Sequence, residues 1–572
     1  MTANLLIKNA RIFNSAYRIF YKGYLSVVDG RIFDMGKGQP PEGFLAEEVI
    51  DAEGKSIIPG LIDIHMHIES SMVTPEPFGY HLATCGVTSV VAEPHEIANV
   101  KGVEGIRAML AAGKGSPIDI FFGVPSSVPS SDMSLETSAA EIDEAELLDL
   151  LSEPAVACLG EIMNARTVID SADSKTNRLI RLVKKHAPNM PIEGHCPRLT
   201  GADLTRYIYQ GVDSDHTEHT LNEIKERYFN GMCVQLQEKT LRTEIINHII
   251  ENNLFDSTAL VTDDVMTDKL VRLGHLNYVA KKAVELGFTA EQAVYCATAT
   301  PASRMRLHDR GRLRPGLLAD FVIMQDLNQF EVDKTFKNGK LVYDTKKGYK
   351  PPDVQRAFPE DFYHTMHISP PTVQDFAIPS GEQGKVKCRV MIIHPDRTHT
   401  SEEFAEVLVR DGMLDWQAAG LKLAVCFERH GKTKGGRGVG FMGGAMLKKG
   451  AIATSCAHDH HNLLVVGENP IDMERAARYV TEAGGGMACA LDGNIIAAFA
   501  LPVAGLLSEK PLIEFAREVE ALKNAMVALG YDHYSPIMSL CTTSLPVSPY
   551  LKLTDKGLVD VLAGKIVPLI VA

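Results

Sequence analysis

The chain has 572 residues, of which 45% are hydrophobic and 23% charged, and its formal net charge is −14. That length exceeds one ordinary domain. The composition excludes a disordered, collagen-like or coiled-coil chain, and no apolar run approaches the ~18 residues of a spanning helix. The acidic excess is a poor match for nucleic acid or an anionic membrane. Ten scattered cysteines with no C-x-x-C pair predict reduced thiols in a cytoplasm, not a disulfide framework. The N-terminal MTANLLIKNARIF lacks the apolar core of a secretory signal.

Residues 1–58 read as short strands separated by Gly, Asp and Asn turn signals. From Leu61 the texture changes. Eight short apolar runs follow: LIDIHMHIE, TSVVAEPHE, IDIFFGVPS, AVACLGEIMNA, MPIEGHCPR, GVDSDHTE, MCVQLQE and TALVTDDV. Helical stretches such as EAELLDLLSE, NRLIRLVKKH and RTEIINHIIENN lie between them. This alternation predicts an α/β fold, a (β/α)8 TIM-like barrel over 59–311. Short strands return at 312–346, and with 1–58 they are expected to form one small β-sandwich domain. Residues 347–364 are Pro-rich and charged and read as a linker. Residues 365–572 read as a further α/β domain.

In such a barrel the active site lies at the C-terminal strand ends. His65 and His67 close the first run, and their i, i+2 spacing on a strand sends both side chains to one face. Glu161 closes the fourth run, His195 the fifth, His216 the sixth and Asp263 the eighth. A lone histidine there is usually a core residue; six metal-competent side chains at strand ends are a site. Imidazole and carboxylate without thiolate suit zinc, manganese or iron. Six ligands suit two ions bridged by a carboxylate and a water.

His65-x-His67 after PGLIDIH, followed in order by an acidic residue, two histidines and an aspartate, resembles the amidohydrolase superfamily. HIESSM at 67–72, PHEIANV at 94–100, GEIMN at 160–164, SDH at 214–216 and TDD at 262–264 resemble the bacterial adenine deaminases. So do GAIATSCAHDHHN at 450–462, LPVAGLLS at 501–508 and LKLTDKGLVDV at 551–561. The resemblance implies a metal-dependent hydrolase that converts adenine to hypoxanthine and ammonia in purine salvage. A deaminase or cyclic-amide hydrolase for another small heterocycle is the alternative. It implies a divalent metal, two per active site, with Mn2+ ahead of Fe2+ or Zn2+. It also implies a cytoplasmic homo-oligomer, dimer or tetramer, whose partner is its small-molecule substrate.

By the same resemblance His65 and His67 hold one metal, Glu161 bridges, and His195 and His216 hold the second. Asp263 ligates the first and relays a proton from the attacking hydroxide to the leaving amine. Glu69, Glu93, His95 and Glu96 are the candidates to protonate the ring nitrogen N1. Where the family often reads DPHEI this chain has EPHEI, so Glu93 is one carbon longer. Asp264 either meets a purine nitrogen or caps the helix after the eighth run. Ser70 and Ser71 orient substrate or cap a turn, with the cap favoured. Gln237 and Glu238 end the seventh run and are expected to line the pocket.

His458, His460 and His461 form a second histidine cluster, read as a surface or interface group, a further metal site or a reach over the barrel mouth. His67-x-Glu69 lacks the P-C-x-x-C of the other zinc deaminases. HEIAN at 95–99 misses H-E-x-x-H and reads as a turn. The match to G-x-G-x-x-G at 438–443 has no strand before it and reads as a flexible loop.

Overall fold

The computed structural model describes residues 2–351, 356–433 and 435–571. Residues 352–355 of the expected linker lie outside this set. The chain divides into two compact units. The first comprises Met1–Pro94, Met109–Ser126 and Asp143–Gln355; the second comprises His95–Ala108, Ser127–Ile142 and Arg356–Ala572.

In the first unit all eight apolar runs are strands: β1 Leu61–Met66, β2 Val87–Ala92, β3 Asp119–Val124, β4 Val156–Ile162, β5 Ile192–Gly194, β6 Ser214–Asp215, β7 Cys233–Leu236 and β8 Thr258–Leu260. β1 to β5 form one parallel ladder and β6 to β8 another. Past β8 the chain bridges back to β1, where the Asp263 amide donates to the His65 carbonyl at 3.1 Å. The ring is therefore a barrel. Every residue of β1 and β2 is buried, as strands covered on both faces must be. The helices between strands are amphipathic: Lys175–His186 buries Leu179, Ile180 and Val183 and carries its charges outward.

The two flanks share one sheet. Five strands from residues 3–59 join three from 321–344, and Ser56–Pro59 pairs antiparallel with Phe321–Asp326. Ile7, Ile12, Leu25, Phe321 and Phe336 form its core.

In the second unit a ten-stranded sheet carries the helix Pro470–Glu482, and a three-stranded sheet follows at 551–567. Its core gathers Phe376, Trp416, Val425, Phe441, Val465 and Met473. Hydrogen bonds bind the excursion Ser127–Ile142 into this unit. Asp555 accepts from the backbone amide and hydroxyl of Thr137 at 2.9 and 2.6 Å, and the Asn462 amide donates to the Thr137 carbonyl at 3.0 Å.

Two local expectations fail here. HEIAN opens the helix His95–Gly113, kinked at Gly102, instead of forming a turn. The Gly-rich 438–443 segment lies within the strand Arg437–Gly444. A β-carbon on Gly438 would sit 1.8 Å from the Thr554 carbonyl oxygen, so glycine there permits close strand approach and not flexibility. Among the described residues no helix is long and apolar enough to cross a membrane.

Candidate metal centre

The barrel ring brings His65, His67, Glu161, His195, His216 and Asp263 together, and ligand atoms from overlapping trios of them lie within 4.8 Å of one another. Glu161 faces two ways. Its Oε1 lies 3.5 Å from His67 Nε2, and its Oε2 lies 2.7 Å from His195 Nδ1 and 3.4 Å from His216 Nε2. Asp263 Oδ1 lies 3.8 Å from His65 Nε2 and 3.7 Å from His67 Nε2. The His65 and His216 rings stack at 3.6 Å.

Backbone and neighbouring groups aim these side chains. The Glu93 carbonyl accepts from His67 Nδ1 at 3.1 Å, which leaves His67 Nε2 to face the centre. Gln237 donates to the His216 carbonyl at 3.0 Å. Asp263 adopts φ 59°, a left-handed conformation that aspartate tolerates and that here turns its carboxylate inward.

The electrostatics are those of a cation site. Burial, aided by the neighbouring His216, holds His65 well below the usual imidazole value, and burial pulls His216 down to about 4. Both rings thus present neutral nitrogen lone pairs. Burial also opposes charge on His67, but the carboxylates of Asp264, Glu161, Asp263 and Glu93 outweigh it and raise this imidazole. Burial raises Glu93 as well, and the adjacent Glu161 adds to the effect. His65 Nε2 is buried without a hydrogen-bond partner among the described residues. The separations of His67 from Glu161 and of His65 and His67 from Asp263, 3.5 to 3.8 Å, are too long for hydrogen bonds, whereas His195 Nδ1 lies 2.7 Å from Glu161 and 3.2 Å from His216. The three longer separations approach the ~3.4 Å edge of a tetrahedron with ~2.1 Å metal–ligand bonds. The residues present therefore fit divalent ions.

The remaining predicted residues divide. Glu69 is buried and opens the short turn Glu69–Ser71 directly after β1. Ser70 donates to Asp264 rather than to a turn, whereas Ser71 satisfies the Ile68 carbonyl. Asp264 is not the helix cap: the next helix begins at Thr267 with Met266 at its cap position. Glu238 does not stand ready for substrate. Lys269, Lys282 and Tyr278 bond it and, against the opposing effect of burial, bring its carboxyl down to about 2. Glu93 is committed to β4: its Oε2 accepts from the Glu161 amide at 2.6 Å. A β-carbon on Gly160 would lie 2.4 Å from that carboxyl group, so the glycine of GEIMN makes room for it. His95 and Glu96 begin the second unit and group with His458, Asp459 and His461.

The amidohydrolase family model matches residues 56–342, and the adenine deaminase C-terminal domain matches residues 397–565. The chain is 44% identical to adenine deaminase 2 of Shouchella clausii, over all of this chain and 99% of that one. It is 43% identical to the adenine deaminase of Clostridium perfringens over the full length of both. It is 40% identical to adenine deaminase 2 of Oenococcus oeni, over all of this chain and 99% of that one. The chain belongs to the adenine deaminase family of the amidohydrolases.

In this adenine deaminase family member two further aspartates support the centre, and both escaped the sequence reading. Asp63 is fully buried beneath His65. It accepts from the His65 amide at 3.2 Å and the Thr262 hydroxyl at 2.6 Å, tying β1 to the TDD turn. Asp215, inside SDH, pairs with His219 and the fully buried Arg227, each at 2.7 Å. The signal for Asp63 is a carboxylate within an otherwise apolar strand run, which must be paired; Asp215 lies in the polar stretch GVDSDHTE and gives no such signal. Positions two residues before His65 and one before His216 draw attention to the ligands instead.

Proposed function

We propose that this protein deaminates adenine hydrolytically to hypoxanthine and ammonia, with two divalent ions in the barrel. The observation that carries the metal reading is Glu161, whose two oxygens face different histidines; full-length identity of 43–44% to adenine deaminases supports the substrate. His65, His67 and Asp263 would hold one ion, His195 and His216 the other, and Glu161 would bridge. When bound, such ions acidify water enough to supply hydroxide near neutral pH.

The chain's own residues then manage protons. Asp263 accepts the proton of the oxygen that attacks C6 and passes it to the exocyclic nitrogen, which departs as ammonia. Glu69, at the end of β1, donates to N1 as charge develops there. Glu93 holds the Glu161 backbone and positions the bridge. Asp264, fixed by Ser70, accepts from a purine ring N–H, and Gln237 steadies His216. Manganese is the ion we favour, in a cytoplasmic homo-oligomer.

A steady-state screen of purines and hydantoin-like amides with manganese-loaded protein tests the reading. Ammonia and hypoxanthine should form in equal amounts from adenine. No ammonia from adenine, with turnover of another ring, would transfer the assignment to the alternative substrate class.

A further inference from the structure

The second unit contains a histidine cluster to which the mechanism proposed above gives no role. It is not at the surface: His460 and His461 are fully buried, and Asp459 and Glu96 nearly so. Glu96, at the start of the helix His95–Gly113, meets the segment 457–462 within this unit. Its Oε1 lies 3.6 Å from His458 Nδ1 and its Oε2 lies 3.8 Å from His461 Nε2. The three donor atoms fall within 4.8 Å of one another.

Two observations separate this group from an ordinary buried polar network. Buried polar atoms are normally satisfied at 2.7–3.2 Å. Here the separations are longer and match the ~3.4 Å spacing of ligands around one ion. Moreover, neither ring nitrogen of His461 has a hydrogen-bond partner among the described residues, although the ring is wholly buried.

The surroundings fix this ring in place. The His461 amide donates to the Ala457 carbonyl at 2.7 Å, and the fully buried Arg429 donates to the His461 carbonyl. The Asn462 amide donates to His460 Nδ1 at 3.0 Å, and the Asn462 side chain accepts from the Arg429 amide at 3.0 Å. Nδ1 of His460 is thereby occupied with backbone, while His458 and His461 point at Glu96. Asp459 Oδ1 lies 3.7 Å from His458 Nδ1 and 3.8 Å from His95 Nε2 and extends the acidic side of the cluster.

We propose that Glu96, His458 and His461 bind one further divalent transition-metal ion, additional to any in the barrel. Two imidazoles and one carboxylate suit zinc or another first-row ion and not calcium or magnesium. The ion joins residues 96 and 458–461, which are more than 350 positions apart in the chain, and so acts as a structural clip within the second unit.

The test compares the full-length wild type with His458→Gln/His461→Gln after loading with Zn2+ and desalting, with metal counted by mass spectrometry. The folded variant should hold one ion per chain fewer than wild type, whatever number the barrel retains. Zinc anomalous diffraction from wild-type crystals should show a peak ~2.0–2.2 Å from all three donors. Equal zinc in wild type and folded variant, or no peak among Glu96, His458 and His461, overturns the proposal. If the variant fails to fold, the wild-type map decides alone. The outcome does not depend on the substrate, so failure here leaves the deaminase reading intact.

Discussion

Replacing Gly160 by alanine tests how the metal bridge is held. The new β-carbon would lie 2.4 Å from the Glu93 carboxyl carbon and 2.5 and 2.6 Å from its oxygens. Ordinary carbon contacts begin near ~3.5 Å, so one group must move by about 1 Å. Movement of the carboxylate breaks its 2.6 Å bond from the Glu161 amide. Overpacking costs about 1–3 kcal/mol, and the lost bond to a charged group costs about 1.5–3 kcal/mol. A destabilisation of about 3–5 kcal/mol follows. Misplacement of Glu161 by a similar distance should lower kcat on adenine ~100-fold. Urea unfolding of the metal-free protein reads the first effect and steady-state deamination the second. Gly160→Ala/Glu93→Ala should recover part of the stability, because the clash is removed, without recovering turnover. Wild-type stability and turnover in Gly160→Ala would refute the reasoning, and Gly381→Ala, where a β-carbon meets nothing within 4 Å, is the control.

Asp263→Asn should lower kcat by at least ~100-fold, the lower range for general acid–base groups, while metal content measured in parallel stays largely intact. Near-normal turnover would remove Asp263 as the proton carrier. Asp215→Asn leaves the fully buried Arg227 without its counter-ion, and should cost about 3–5 kcal/mol in denaturant unfolding; a change under ~1 kcal/mol would show that the pair is dispensable. Burial pulls the His81 imidazole to about 4, against its bond to the Leu270 carbonyl. The unfolded chain therefore binds more protons than the folded one between pH 6.5 and 4, and His81 destabilises the fold progressively as pH falls through that window. The effect is about 1.4 kcal/mol per pH unit. His81→Gln should lose this dependence, so the wild-type and variant stability curves converge or cross on acidification; parallel curves contradict the assignment.

Much of the barrel is legible in the chain because its signal is local. Each β1–β8 strand is a short run of its own, five of the eight runs close on a metal-competent side chain, and a strand's C-terminal end is where a barrel exposes chemistry. What was not legible depends on contacts between distant segments. Ser70 resembles a turn cap until the structure places Asp264 against it. Glu238 looks like a pocket residue until Lys269 and Lys282 occupy it. His95 and Glu96 also meet Asp459 and His458, more than 350 positions later, a grouping that only the folded chain reveals. The glycines at 438–443 suggest a loop, because only the Thr554 carbonyl explains why a strand needs them.

Anomalous diffraction from manganese-loaded crystals tests the central claim most directly. The account predicts two peaks in the barrel, ~3.5–4 Å apart, each contacting a different oxygen of Glu161. A single peak, or two peaks that do not share Glu161, would contradict the bridged centre on which the account rests.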